Sequence, residues 1–510
     1  MNVGQLVAFA AYLLLLLCIG IYFFIKSTDS GDKEYFLGGR QMGPWVTALS
    51  AQASDMSAWL LMGLPGSILA WGMGQVWIAI GLALGTALNW IFLATRLRRF
   101  SQAADDSITL PQYLTNRFAS TNPALKVVCA VVFLVAFTVY VASAFVAGRT
   151  VLLSIIPTMN PTLAIVIFAV IVLLYTFLGG YKAVCWTDFF QGLLMLVALV
   201  SVPIVMVALG HFGGAELYGD VGGTVFEKSL FSASWTDIVT GLSWGLGYFG
   251  MPHIIVRFMA IEKPSMVKKS ATVAIIWLIL TMGSTTAIAV LGRTWILSNG
   301  ASLAEALLPG ARNSIFICLV QDLLPGLLAG ILLSAIVAAS MSTADSQLLV
   351  ASSSFTSDIY KPLIRKNRAS DKEVLWVGRA VVAVVAVIAF LIATSDSEWA
   401  GDIMNMVENA WGLFGAAFSP VIILSLFWKR FNFAGALAGI VAGAAADIAW
   451  LLLFTSTMRE AVIFNTNIYE ILPGFLVGLL VAVIVTLATP APNEKVQKIF
   501  ETATAPTTCD

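Results

Sequence analysis

Long apolar stretches dominate the chain, and two of them are interrupted by residues that a membrane helix normally avoids. The stretch 44–70 contains the polar run 50–57, and the stretch 235–259 contains the glycine-rich run 245–252. An unpaired backbone N–H or C=O group in hydrocarbon costs several kcal/mol, so broken helices persist only where they line a protected cavity or hold an ion. Two of them in matching positions indicate a transporter with internal repeats and a central site.

Runs of about 18 or more apolar residues can cross a bilayer. Counting them predicts an all-α polytopic membrane protein with about thirteen transmembrane helices. The approximate bounds are 3–25, 44–70, 74–95, 127–157, 162–180, 188–210, 235–259, 271–296, 324–352, 375–395, 402–428, 433–455 and 471–489.

The basic residues support this division of the chain. With alternate loops assigned to the cytoplasm, 23 of the 28 Lys and Arg residues lie on the cytoplasmic side, Arg40 and Arg257 among them. Such a bias is typical of inner loops. The sequence therefore predicts an N-terminus outside and a C-terminus in the cytoplasm, with a polar, flexible tail at 490–510.

Composition limits the function classes that remain. Only 11% of the residues are charged and the net charge is zero, so the chain offers no basic domain for nucleic acid. Two histidines and five isolated cysteines make a histidine or paired-cysteine metal site a poor interpretation. We see no nucleophile–base constellation, and we expect no enzymatic activity.

The ten helices after the first span divide into two sets of five. The first set begins on the cytoplasmic side and the second on the outside, because an odd number of spans separates their starts. We therefore expect a peripheral helix and loop at 1–43, inverted repeats at 44–210 and 235–428, and two peripheral helices at 433–489. Each repeat opens with its broken helix, which places substrate and ion near the bilayer midplane.

One predicted helix presents a face of oxygen atoms. Ala339, Ser342, Thr343 and Ser346 share that face by their i, i+3, i+4, i+7 spacing. Backbone carbonyls and neutral hydroxyls suit sodium, and the break near Asp55 would free further carbonyls. Taken alone, small and hydroxyl residues are better explained by close helix packing, and the adjacent break that contains Asp55 reverses this preference.

Acids inside membrane spans are costly and by default functional. The chain has five of them, namely Asp55, Asp188, Asp345, Glu408 and Asp447. Asp55 lies in the first break, where its charge would attract a cation. Asp188, Asp345 and Ser346 would form a second cation site or support the first, although Asp188 is equally well explained as a helix N-cap.

Four aromatic residues lie at membrane depth near small residues or breaks, namely Trp59, Tyr140, Trp244 and Tyr248. Ring faces attract an ammonium group, and freed N–H groups at a half-helix N-terminus attract a carboxylate. The pattern therefore favours a small zwitterion as solute, with ordinary helix packing as the alternative.

The chain resembles the sodium:solute symporter family, and within it the members that carry proline. The resemblance covers nearly the whole chain and includes YFLGGR at 35–40, TALSA at 47–51, SDMSAWLLMGLPG at 54–66, WTD at 186–188, GLGYFG at 245–250 with Pro252 and His253, and MST at 341–343. It implies a LeuT-type core of five plus five helices and sodium-coupled uptake of L-proline.

The resemblance also implies roles for individual residues. Sodium ligands would be the carbonyls of Ala53, Met56 and Ala339 and the hydroxyls of Ser342 and Thr343. Asp55 and Asp188 would support this site electrostatically, and Arg40 would act in coupling on the cytoplasmic side. Proline would lie near Ser57, Trp59, Gly63, Tyr140, Trp244, Tyr248 and Pro252.

The chain departs from the familiar proline pattern at Met251 and Asp345. Family members that carry sialic acid are similar to it in having a second sodium site near Asp188, Ser342, Asp345 and Ser346, so the sodium stoichiometry stays open between one and two. The alternatives are another solute (a different amino acid, a betaine-like osmolyte, pantothenate or a sialic acid) and, in a different class, a channel or membrane sensor.

Overall fold

The computed structural model describes residues 2–26, 36–210, 226–298, 303–306, 308–455, 463 and 465–505, and most of them are helical. Tyr35 of the first motif, His211 and the tail after 505 lie outside the described residues. The main helices are α1 (Val3–Lys26), α2 (Pro44–Asp55), α3 (Gly63–Trp71), α4 (Met73–Ala103), α5 (Leu110–Arg117), α6 (Ala124–Ile155), α7 (Pro161–Leu174), α8 (Gly180–Ala208), α9 (Trp235–Ser243), α10 (Pro252–Ala260), α11 (Pro264–Ile296), α12 (Ile315–Leu323), α13 (Gly326–Phe355), α14 (Asp371–Ala393), α15 (Ile403–Phe427), α16 (Phe433–Phe454), α17 (Ile471–Ala488) and α18 (Glu494–Thr504).

Ten of the described helices are long and apolar enough to cross a membrane. Two further apolar helices, Trp59–Trp71 and Pro161–Leu174, are shorter. The multi-pass architecture is therefore confirmed, whereas the number thirteen stays a prediction. The difference comes from the two broken segments, in which each half is too short to count as a span, and from Pro161–Leu174, which is itself too short.

The first break lies later in the chain than the prediction of 50–57. Helix α2 continues to Asp55, Met56 leaves the helical conformation with φ −82° and ψ 75°, and one turn, Ala58–Leu61, precedes α3. The Ser57 hydroxyl caps that turn by accepting the N–H of Trp59 at 3.4 Å. The polar side chains before Asp55 are buried in α2 without ending it.

The second break agrees with the prediction of 245–252. Helix α9 ends at Ser243, a 3-10 segment covers Trp244–Phe249, and Pro252 occupies the first turn of α10. Proline suits that position because its missing N–H would have no helical partner there.

Helix α13 occupies the centre of the molecule. It packs against α1, α2, α6 and α8, and every residue in 332–354 is buried. Its hydroxyl and carboxyl groups are therefore inside the protein, where they need partners.

Asp188 lies in the interior of a helix. The helix that carries it begins at Gly180, whose φ of 60° breaks the chain away from α7. The interpretation of Asp188 as a helix N-cap is therefore wrong, because the helix starts well before it.

The C-terminal tail forms helix α18 over Glu494–Thr504, so the prediction of a flexible tail is wrong for that part. Asn493 caps α18 by accepting the N–H of Val496 at 3.0 Å. Phe500 meets Phe100 edge to face at 5.4 Å between ring centroids, and Lys429 pairs with Glu501 at 2.7 Å. The apolar face of α18 docks on the C-terminal end of α4, which hides its side chains from water.

Helix α4 and the second break approach so closely that only glycine fits between them. A Cβ atom on Gly85 would lie 2.3 Å from the carbonyl oxygen of Gly245, and one on Gly245 would lie 2.4 Å from that of Gly81. Small residues allow membrane helices to bring their backbones together in this way.

We expect Gly85→Ala to destabilise the protein by about 1–3 kcal/mol, because backbone atoms must move to admit the methyl group. Thermal unfolding of the detergent-purified protein measures this. Gly283→Ala is the matched control, since a Cβ atom at Gly283 meets nothing within 4 Å. Equal midpoints for the two variants would contradict the predicted close contact.

Candidate functional site

The predicted sodium ligands lie where the end of α2 meets the middle of α13. The Ser342 hydroxyl oxygen is 2.8 Å from the Ala53 carbonyl oxygen and 3.1 Å from that of Ala339. Ser342 and Thr343 are fully buried, and the Thr343 hydroxyl has no hydrogen-bond partner among the described residues. A buried hydroxyl without a partner is costly unless it has another ligand.

These oxygens suit a sodium ion. Carbonyl and hydroxyl oxygens are hard neutral ligands, and freed backbone carbonyls of a broken helix hold Na⁺ in other transporters. Met56, the remaining predicted ligand, is the residue at which α2 ends. Ala53, Ala339, Ser342 and Thr343 would thus hold the ion with the carbonyl of Met56 as a further ligand.

Asp55 connects this cluster to the second break. The Tyr248 hydroxyl donates to Asp55 Oδ2 at 2.6 Å, and Asp55 Oδ1 has no partner among the described residues. The bond ties the two broken helices together beside the candidate cation site, and it would be about twice as strong as a bond between neutral groups if Asp55 is ionised.

Aromatic rings meet next to this bond. The Trp59 and Trp244 ring centroids are 6.2 Å apart, and all three of Trp59, Trp244 and Tyr248 are at most 2% exposed. Gly63 faces the same region, since a Cβ atom there would touch the side chains of Trp59 and Met404 at 3.5 Å. Ser57 caps the turn that carries Trp59.

Tyr140 and Pro252 border this group from another side. The Tyr140 ring packs edge-on against His253, the residue after Pro252, at 6.4 Å. The Tyr140 hydroxyl and the Trp244 indole N–H are buried without a hydrogen-bond partner in the described part of the chain. An indole N–H can only donate, so these two groups offer hydrogen bonds to a ligand with acceptor oxygens.

The sequence analysis missed two further aromatic residues and one histidine. Trp411 meets Tyr248 edge-on at 5.1 Å, and Tyr469 lies 5.0 Å from Trp244. The His253 Nε2 atom lies 3.1 Å from the Ser54 carbonyl oxygen. Trp411 could have been predicted from the sequence, because it lies in the middle of a span as Trp244 does. Tyr469 precedes its helix, and no sequence pattern marks it as a site residue.

A second polar cluster surrounds Asp188. Its Oδ2 atom accepts hydrogen bonds from the Ser50 hydroxyl at 2.7 Å and from the guanidinium of Arg257 at 3.0 Å. Arg257 also bonds to Ser346 Oγ at 2.5 Å. The structure therefore brings Asp188 and Ser346 together as predicted, with an arginine between them.

The assignment of Arg257 to a cytoplasmic loop is wrong. The residue lies within α10 and is 1% exposed. The pattern of basic residues along the chain misplaced it because a charge count cannot tell a loop residue from one whose charge is paired inside the protein. Asp345, next to Ser346, is fully buried, and neither carboxyl oxygen has a hydrogen-bond partner among the described residues.

Arg40 forms a separate buried junction. Its guanidinium donates to Ser101 Oγ at 3.1 Å, to the Ser107 carbonyl at 2.8 Å and to the Met259 carbonyl, and it pairs with Asp106. Burial lowers the pKa of Arg40 to about 10, which leaves it charged at neutral pH. The residue thus joins the chain before α2 to the ends of α4 and α10.

Glu408 and Asp447 lie near Tyr469, the residue that borders Trp244. The Tyr469 hydroxyl donates to the Glu408 carbonyl at 2.6 Å, and a Cβ atom on Gly412 would lie 3.1 Å from Asp447 Oδ1 and 3.3 Å from Glu470. Both acids therefore belong to the contact of α15 with α16 and α17.

Residues 35–443 match the model of the sodium:solute symporter family. The osmoregulated proline transporter OpuE of Bacillus subtilis is 39% identical over 503 residues, which cover 98% of each chain. A sodium/proline symporter of Staphylococcus aureus is 41% identical over 493 residues, or 96% of this chain and 93% of the relative.

Solved structures agree on the fold. A Na⁺-coupled sialic acid symporter in a substrate-bound outward-open state aligns with a TM-score of 0.75 at 22% identity, covering 96% of this chain and 98% of that one. Mhp1, a nucleobase-cation-symport-1 family transporter, aligns with a TM-score of 0.54 at 14% identity, covering 92% and 98%. The predicted helical core with broken helices is thereby confirmed as a fold.

We expect Tyr248→Phe to destabilise the protein by about 1–3 kcal/mol, because it leaves the buried Asp55 carboxyl without a partner. Thermal unfolding in detergent measures the effect. Tyr113→Phe is the matched control, since it removes a buried 2.9 Å bond to the neutral Ser425 hydroxyl. A loss of stability for Tyr248→Phe that is no greater than the loss for Tyr113→Phe would argue against a charged Asp55 as the partner of Tyr248.

Proposed function

The chain belongs to the sodium:solute symporter family, and from that premise we propose that its solute is L-proline. Sodium moving inward would drive proline uptake across the bacterial cytoplasmic membrane by alternating access, with no chemical step. The proposal includes an N-terminus outside, a C-terminus inside, and repeats at 44–210 and 235–428 between the peripheral segments 1–43 and 433–489, followed by the tail 490–510.

The observation that carries the proposal is the contact between α2 and α13. The Ser342 hydroxyl faces the freed Ala53 carbonyl at 2.8 Å, and the buried Thr343 hydroxyl beside it has no partner among the described residues. A sodium ion held there would join the two helices through Ala53, Met56, Ala339, Ser342 and Thr343. Its binding would favour the outward-open state by differential affinity for the two states.

Proline would lie beside this ion, among the aromatic rings. Its ammonium group suits the ring faces of Trp59 and Trp244. Its carboxylate suits the unpartnered donors on Tyr140 and Trp244. The remaining residues of this proposed site are Ser57, Gly63, Tyr248 and Pro252.

Coupling follows from the short path between the two ligands. The Asp55–Tyr248 hydrogen bond of 2.6 Å joins the break that would hold sodium to the break that would hold proline. Sodium and proline must strengthen each other's binding by the same factor. Arg40, which bonds to the Met259 carbonyl on α10, would transmit the motion on the cytoplasmic side.

The driving force is sufficient for accumulation. One elementary charge crossing about 100 mV contributes about 2.3 kcal/mol, which supports a proline gradient of roughly fifty-fold. A channel would give flux without accumulation. Accumulation of external labelled proline by proteoliposomes, measured with and without an inward sodium gradient, separates these cases. A competition panel of other amino acids, betaines, pantothenate and sialic acid identifies the solute.

We expect Ser342→Ala combined with Thr343→Ala to raise the sodium concentration for half-maximal proline binding at least about tenfold, or about 1.4 kcal/mol, because two ion ligands are lost. Ser340→Ala is the matched control, since the Ser340 hydroxyl is buried on the same helix and, among the described residues, bonds to the Ile336 carbonyl alone, at 2.9 Å. Unchanged sodium dependence in the double variant would remove this site from the proposal.

We expect Trp244→Ala to weaken proline binding at least about tenfold while sodium binding measured without proline changes little. The absence of proline matters in this measurement because coupling would otherwise transmit the loss to sodium. Trp376→Ala is the control, because Trp376 is 60% exposed on the outer surface of α14. Equal losses for both ligands would indicate a packing role for Trp244.

A further inference from the structure

Arg257 lies inside the group of oxygen atoms that the sequence assigned to a second cation. Its guanidinium reaches Asp188 Oδ2 at 3.0 Å and Ser50 Oγ at 3.2 Å, and it also bonds to Ser346 Oγ and to the His253 carbonyl. Arg257 and Asp188 are 1% and 0% exposed, so water does not screen the pair.

The partners of Arg257 are the kinds of atom that bind sodium. They comprise one carboxylate, two hydroxyls and one backbone carbonyl, contributed by α2, α8, α10 and α13. Hard cations take such a mixed oxygen shell. The N–H groups of the guanidinium, which are fixed in position, bond to the same oxygen lone pairs that a sodium ion would use.

We infer that Arg257 is a built-in cation that fills the second cation site of this fold, so that the protein binds one sodium ion per solute. The inference rests on the proposed sodium-coupled function and specifies its stoichiometry. A sodium ion entering this shell would meet a like charge within a few ångströms, in surroundings of low dielectric constant. It would also find Asp188 Oδ2 and Ser346 Oγ already bonded to the arginine.

Because of Asp345, removing the side chain of Arg257 provides a test of the inference. Both of its carboxyl oxygens are buried and without hydrogen-bond partners in the described part of the chain, and the residue adjoins Ser346. Without the guanidinium, Asp188 and Asp345 together would supply two acidic groups next to two hydroxyls. That set is sufficient to hold a sodium ion in place of the arginine.

The test is equilibrium binding of ²²Na⁺ to detergent-purified protein. We expect one ion per chain in the wild type, two in Arg257→Gln, and one in Arg257→Lys, which keeps the positive charge. Arg257→Gln combined with Asp188→Asn returns the count to one. Arg117→Gln is the matched control and keeps one ion, because Arg117 is equally buried but bonds to the Ser425 carbonyl at 3.0 Å.

Two ions in the wild type overturn the inference, and so does a single ion in a folded Arg257→Gln variant. If that variant does not fold, the reversal potential of proline transport by the wild type in proteoliposomes decides: one charge per proline supports the inference and two overturn it. Failure of the proposed function is distinct, because proline binding would then be independent of sodium altogether.

Discussion

A helix broken inside a membrane exposes backbone carbonyls that water cannot reach, and the structure depends on how those carbonyls are satisfied. Around the first break, three carbonyls have partners from three different helices. The Ala53 carbonyl faces Ser342 at 2.8 Å, that of Ser54 faces His253 at 3.1 Å, and that of Leu60 accepts the Thr285 hydroxyl at 3.2 Å. The break is therefore held by three other helices. The free-energy cost of its freed carbonyls is lower than the sequence alone suggests.

The same partners link the proposed ion and solute sites. Tyr248 lies in the second break and His253 in the first turn of α10 after it, and they contact Asp55 and Ser54 of the first break. A change in either break alters the hydrogen bonds of the other, because a buried polar group left without its partner is costly. Binding at one break can therefore change the geometry of the other, because the Asp55–Tyr248 hydrogen bond joins them directly.

The cluster around Asp188 shows a different solution to the cost of a buried charge. Asp188 has an arginine partner within the protein, whereas Thr343 and Asp345 on the neighbouring helix have none among the described residues. The Arg257 ion pair joins four helices without a mobile ion. Under the proposed function, the unpartnered Thr343 hydroxyl would serve the mobile ion, and the two clusters would have separate roles along one helix.

Apolar run length and the breaks within it determined the membrane topology class and the presence of two broken helices, because hydrocarbon permits few backbone arrangements. The motifs, not the run lengths, indicated the family. Helical spacing also placed Ser342 and Thr343 on one face with Ala339. The sequence did not determine that Arg257 is buried, that Asp188 lies inside its helix, or that α18 docks on α4. Those features depend on which side chains meet across separate helices, and local pattern carries no information about such long-range pairing. Only the tertiary structure therefore decided which of the buried charges are paired.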